Sequence, residues 1–124
     1  MHIMRTVLVA LVAVEHVYIL ILEMFLWTTP RGRKAFGLTP EFAQASKALA
    51  ANQGLYNGFL ALGLLWSFSP STAGFGTHLQ LFFLGCIIVA AIFGAATAKR
   101  SILFVQGGPA ILALLAVLAD SAAR

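Results

Sequence analysis

Glu15, His16 and Glu23 lie inside a stretch otherwise built almost wholly of Val, Leu, Ile, Ala, Met and Phe. A charged acid left facing hydrocarbon there costs roughly 2.5–3.5 kcal/mol, so these side chains are expected to turn inward and to be functional. At about 100° per residue, His16 and Glu23 differ by only about 20° around a helix, and Glu15 lies about 80° from Glu23. All three share one face, which also carries Arg5, Val12, Ile19 and Trp27. Two carboxylates and an imidazole so arranged can bind a cation, relay a proton or act as acid and base.

A second polar set follows. Asn52, Gln53, Tyr56 and Asn57 span an arc of about 140° on a helix, with Gly54 and Gly58 on the far side. Polar faces on helices joined in sequence are expected to meet, because amides, phenol and carboxylates satisfy one another only inside a bundle. The expectation is one cavity lined by Glu15, His16, Glu23, Asn52, Gln53, Tyr56 and Asn57, with Trp27 and Gln106 as further ligand-binding residues. Glu15 and His16 stand near the middle of their span and Glu23 about 10 Å further along the axis, so a chain of groups would carry a mobile proton toward one surface. The bland alternative is a polar clasp that only holds helices together. No metal is expected, since a single histidine lies within the apolar stretches and neither HxxxH nor ExxH spacing occurs.

The elements that must position these residues follow from composition. The 124 residues are 60% hydrophobic and 10% charged, with a mean hydropathy of +0.93. Four apolar stretches, at about residues 3–27, 49–68, 79–98 and 101–119, each approach the roughly 20 residues that cross a bilayer. They are continuously apolar, without the alternation of barrel strands, and lipid demands internal backbone pairing. The expected fold is all-α: one integral membrane domain, a four-transmembrane-helix bundle of the cell inner membrane. Glu15 and His16 interrupt the first stretch and no convincing cleavage site follows, which argues against a signal peptide.

The net charge of +4 is placed for topology rather than for nucleic acid. Arg31, Arg33, Lys34, Lys47, Lys99 and Arg100 fall in or beside the first and third connections, against Arg5 and Arg124 on the other side. The positive-inside rule makes both termini extracytoplasmic and puts Trp27 and Trp66 at opposite interfaces. The lone Cys86 excludes an internal disulfide and the CxxC chemistry of quinone-linked disulfide oxidoreductases.

Thr29-Pro30 is expected to end the first helix, residues 28–48 to form the one substantial loop, and Thr39-Pro40-Glu41 to start a helix. The loop's TPRGRK segment is read as a topology determinant or a clasp for lipid phosphates. Ala50, Gly54 and Gly58, and Cys86, Ala90, Gly94 and Ala98, repeat every four positions and would allow close helix approach or a homodimer. Gln106-Gly107-Gly108-Pro109 predicts a kink or local unwinding in the last stretch.

Glu15-His16-Val17-Tyr18, residues 23–38 (EMFLWTTPRGRKAFGL) and residues 51–60 (ANQGLYNGFL) resemble a bacterial and fungal membrane family called domain of unknown function 1304. The resemblance is specific over the first half of the chain. It implies a four-helix inner-membrane protein, and its motif positions coincide with the polar residues above, without naming a ligand. Two functions fit. The first is binding or transport of a small amphipathic or cationic molecule, proton-coupled and dimeric, by analogy with small multidrug exporters. The second is an intramembrane acid/base enzyme, isomerase-like, acting on a lipid-soluble substrate. Neither requires a cofactor, and both have the lipid bilayer as partner.

Overall fold

The computed structural model describes His2–Ala123, helices joined by short turns, bends and irregular residues. Arg124, counted above among the outward-facing charges, lies outside the described residues. The α-helices are α1 (His2–Met24), α2 (Pro30–Phe36), α3 (Pro40–Trp66), α4 (Gly76–Thr97) and α5 (Gly108–Ala122). A 3₁₀ turn at Pro70–Thr72 precedes α4, and a π-helical segment at Leu103–Gly107 leads into α5.

Three helical segments, His2–Met24, Gly76–Thr97 and Leu103–Ala122, are long and apolar enough to cross a membrane. The expected second span is set apart from these: α3 has 27 residues, but Gln44, Lys47, Asn52, Gln53 and Asn57 dilute its apolar character. Large apolar side chains cover the surface, among them Ile3, Val7, Leu11, Phe82, Phe93, Phe104 and Leu115. Water-soluble monomers rarely tolerate this much exposed apolar surface, and lipid requires it.

The loop expected over residues 28–48 is corrected. Thr29-Pro30 starts a helix rather than merely ending one, because it carries the same start signal as Thr39-Pro40. The Thr29 hydroxyl oxygen accepts from the Gly32 N–H at 3.3 Å, Pro30 supplies the first turn, and Gly37, at φ 66°, closes α2 in the left-handed conformation. Leu38 N–H then bonds to the Arg33 carbonyl at 2.9 Å. α3 begins at once, with the Thr39 hydroxyl accepting from Phe42 N–H at 3.2 Å.

The irregularity expected near Gln106 takes the form of the π segment. Pro109 offers no N–H and its ring crowds the carbonyl four residues earlier, so the preceding turn widens. Gly108 N–H accordingly reaches back five residues, to the Leu103 carbonyl. Gly107 is buried there, where a Cβ would lie 3.2 Å from the Ala91 Cβ of α4.

The chain folds as two compact units: Val14–Ala61, and the stretch up to Ala13 together with that from Leu62 onward. α1 and α3 each contribute to both.

Candidate functional site

Within the unit Val14–Ala61, glycines decide how α3 meets α1. A Cβ on Gly54 would come within 2.7 Å of Met24 Cγ, 3.0 Å of Glu23 Cβ and 3.2 Å of the Leu20 carbonyl oxygen. One on Gly58 would lie 2.5 Å from Leu20 Cδ1. Gly54 and Gly58 are about 40° apart on the helix, so the glycine face lies against α1.

This placement corrects the expected meeting of two polar faces. Asn57 sits about 60° from Gly54, at the edge of the contact, and its Nδ2 donates to Glu23 Oε1 at 2.7 Å. Asn52, Gln53 and Tyr56 lie further round the helix and are exposed. Small residues won because backbones can approach closely there and gain dispersion contacts, which bulky amides facing the same way would prevent.

On α1, Arg5, Val12, His16, Ile19 and Glu23 of the expected inward stripe are buried, and Val9, Ala13 and Leu22, outside that expected set, are buried as well. His16 is 1% exposed. Glu15 is half-buried, and its Oε2 is sealed from solvent with no hydrogen-bond partner. Ion pairs among the described residues involve Asp120 with Arg5 and with His2; neither Glu15 nor Glu23 makes one. A carboxylate withdrawn from water without a counter-ion is neutralised either by a proton or by a bound cation, which is the chemistry this part of the chain can perform. Trp27 is half-buried, donates its indole N–H to Ser46 Oγ at 3.0 Å and lies 4.8 Å from the Phe36 ring. Gln106 falls in the π segment, in the other unit.

That other unit holds a polar cluster that was not anticipated from sequence. Arg5, 6% exposed, donates from Nε to Gln80 Oε1 at 2.8 Å, from Nη1 to Asp120 Oδ2 at 3.1 Å and from Nη2 to Thr77 Oγ1 at 2.7 Å. Gln80 Nε2 passes the chain on to Ser67 Oγ at 3.0 Å, whose hydroxyl donates to the Leu64 carbonyl at 2.5 Å. Arg5 is thus a buried ion-pair partner. The available signal was Asp120, the acid directly after the last apolar stretch, much as Arg5 stands near the start of the first.

The chain is thus an all-helical protein with three helices long and apolar enough for a membrane and ionisable side chains sequestered in each unit. It belongs to the family described as Protein of unknown function (DUF1304), whose model matches residues 10–118. The match includes Glu15, His16, Glu23, the α3 amides and Gln106, and stops short of Arg5 and Asp120. The "Uncharacterized protein YpaA" of Lactococcus lactis subsp. lactis (strain IL1403) is 36% identical over 117 residues, covering 93% of this chain and 97% of YpaA. No solved structure matches.

Proposed function

We propose that this is an inner-membrane protein that binds a small amphipathic cation at Glu15 and Glu23 and exchanges it for protons as it moves the cation across or out of the bilayer. The observation that carries the reading is the pair of sequestered carboxylates of α1, for which the described residues supply no cationic partner. Glu23 has only the neutral amide of Asn57. His16, buried one residue from Glu15, is the proton carrier between midplane and Glu23. Both termini are extracytoplasmic, with α3 as the fourth span, so Glu23 faces the cytoplasmic half. A second copy of the chain covers Asn52, Gln53 and Tyr56 and completes a wall that one subunit is too small to enclose.

The test is uptake of tetraphenylphosphonium into vesicles reconstituted with the purified protein, driven by an imposed pH gradient. Wild type accumulates the cation and dissipates the gradient in step, while Glu23→Gln does neither. Equal uptake by Glu23→Gln, or none by wild type, overturns the reading. A chemically altered lipid extract without uptake would transfer the site to the acid/base alternative.

A further inference from the structure

We propose that the cavity bounded by the start of α1, the connection over residues 67–76 and the first turn of α4 is a binding site for a phosphate ester, held through Arg5. The cavity measures about 540 Å³, within the usual size of small-molecule sites. Its lining includes His2, Arg5, Ser67, Thr72, Thr77 and Gln80, and no acidic side chain. Asp120 engages Arg5 from outside that lining.

The donor inventory sets the ligand chemistry. A guanidinium has five N–H groups. Arg5 directs one each to Gln80, Asp120 and Thr77, which leaves two. Thr77 Oγ1 accepts from Arg5 and retains its own proton to donate; Gln80 Nε2 spends one N–H on Ser67 and keeps another. The first turn of α4 lines the same space and has no side-chain cap, so its backbone donors and dipole favour an anion too. Three partners fix the guanidinium plane before any ligand arrives.

A donor-rich, acid-free cavity takes a group made of acceptors. Asp120 offsets the Arg5 charge, so one negative charge is matched better than two, as on a phosphodiester. Arg5 stands in the first turn of α1 and Thr77 in the first turn of α4, both helices long enough to span a membrane. Span ends lie at the depth of lipid phosphates, and a soluble phosphate ester could enter from the adjacent water.

The test titrates the full-length, delipidated protein in dodecyl maltoside with dioctanoyl phosphatidylglycerol, followed by native mass spectrometry. Wild type is expected to bind it saturably. Arg5→Lys, which loses the fork geometry, is expected to weaken binding by about tenfold or more. Ala73→Phe fills the cavity from an exposed position outside the Arg5 network; it is expected to weaken binding at least as much with thermal unfolding unchanged. Competition by millimolar glycerol 3-phosphate would identify a soluble ester as the source, and binding without such competition a lipid headgroup; both support the site. Wild-type affinity in Ala73→Phe, equal binding of dioctanoylglycerol, which lacks the phosphate, or no wild-type binding of either phosphate ester overturns it. Should Arg5→Lys fail to fold, Ala73→Phe decides alone.

Discussion

Asn57 donates its amide N–H to Glu23 Oε1 at 2.7 Å, across a helix contact that Gly54 keeps narrow. The bond satisfies one carboxyl oxygen without supplying a charge. Glu23 is therefore held in place without a counter-ion among the described residues, whereas Asp120 is paired with the Arg5 guanidinium.

Glu23→Gln and Asn57→Leu separate the chemical from the structural role of this contact. Glutamine keeps an oxygen that accepts from Asn57, so the thermal midpoint should be retained or raised, while proton release on adding tetraphenylphosphonium disappears. Asn57→Leu removes the donor and leaves the carboxyl unsatisfied, at a cost of about 1–3 kcal/mol in reversible unfolding. Proton release surviving in Glu23→Gln would show that the acid is only structural.

Gly54→Val tests the close approach itself. Its first added atom meets Glu23 Cβ and the Leu20 carbonyl oxygen at 3.0 and 3.2 Å, neither of them free to move aside. We expect a loss of about 1–3 kcal/mol and, by hydrogen exchange, faster opening of α3 around Asn57. Unchanged exchange would mean that the helices are not in tight contact at this point.

Arg5 and Asp120 should behave as a coupled pair, since both side chains are only 7% exposed. Removing one partner, as in Arg5→Met or Asp120→Leu, is expected to cost about 3–5 kcal/mol by stranding a buried charge. The double variant should recover most of that loss. Additive losses in a double-mutant cycle would instead indicate two independent interactions.

Gly32→Ala addresses the short helix α2. A Cβ there would overlap the Leu26 carbonyl oxygen, so the chain entering α2 must be displaced. Trp27, bonded to Ser46 and packed beside Phe36, reports the change: its fluorescence should shift to the red and its quenching by aqueous acrylamide should increase. A spectrum identical to wild type would refute the tight turn.

Much of this was readable from the chain alone. The stripe on α1 that holds His16 and Glu23 was legible because a helix repeats every 3.6 residues and lipid excludes charge, so azimuth and burial follow from spacing. The Thr-Pro signals likewise mark two helix starts, although at Thr29 the same signal also ends the helix before it. Apolar length and the scarcity of charge by themselves determine a membrane-compatible helical protein.

Partnership was decided only in three dimensions. α3 presents an amide arc and a glycine arc, and periodicity gives the angle between them without saying which one meets α1. Close packing chose the glycines, which left Asn57 as the single amide of the set bonded to Glu23 and turned Asn52, Gln53 and Tyr56 outward. The Arg5–Asp120 pair joins residues 115 positions apart. No local pattern encodes such a pair, because it depends on how helix ends are brought together in space rather than on the spacing within any one helix.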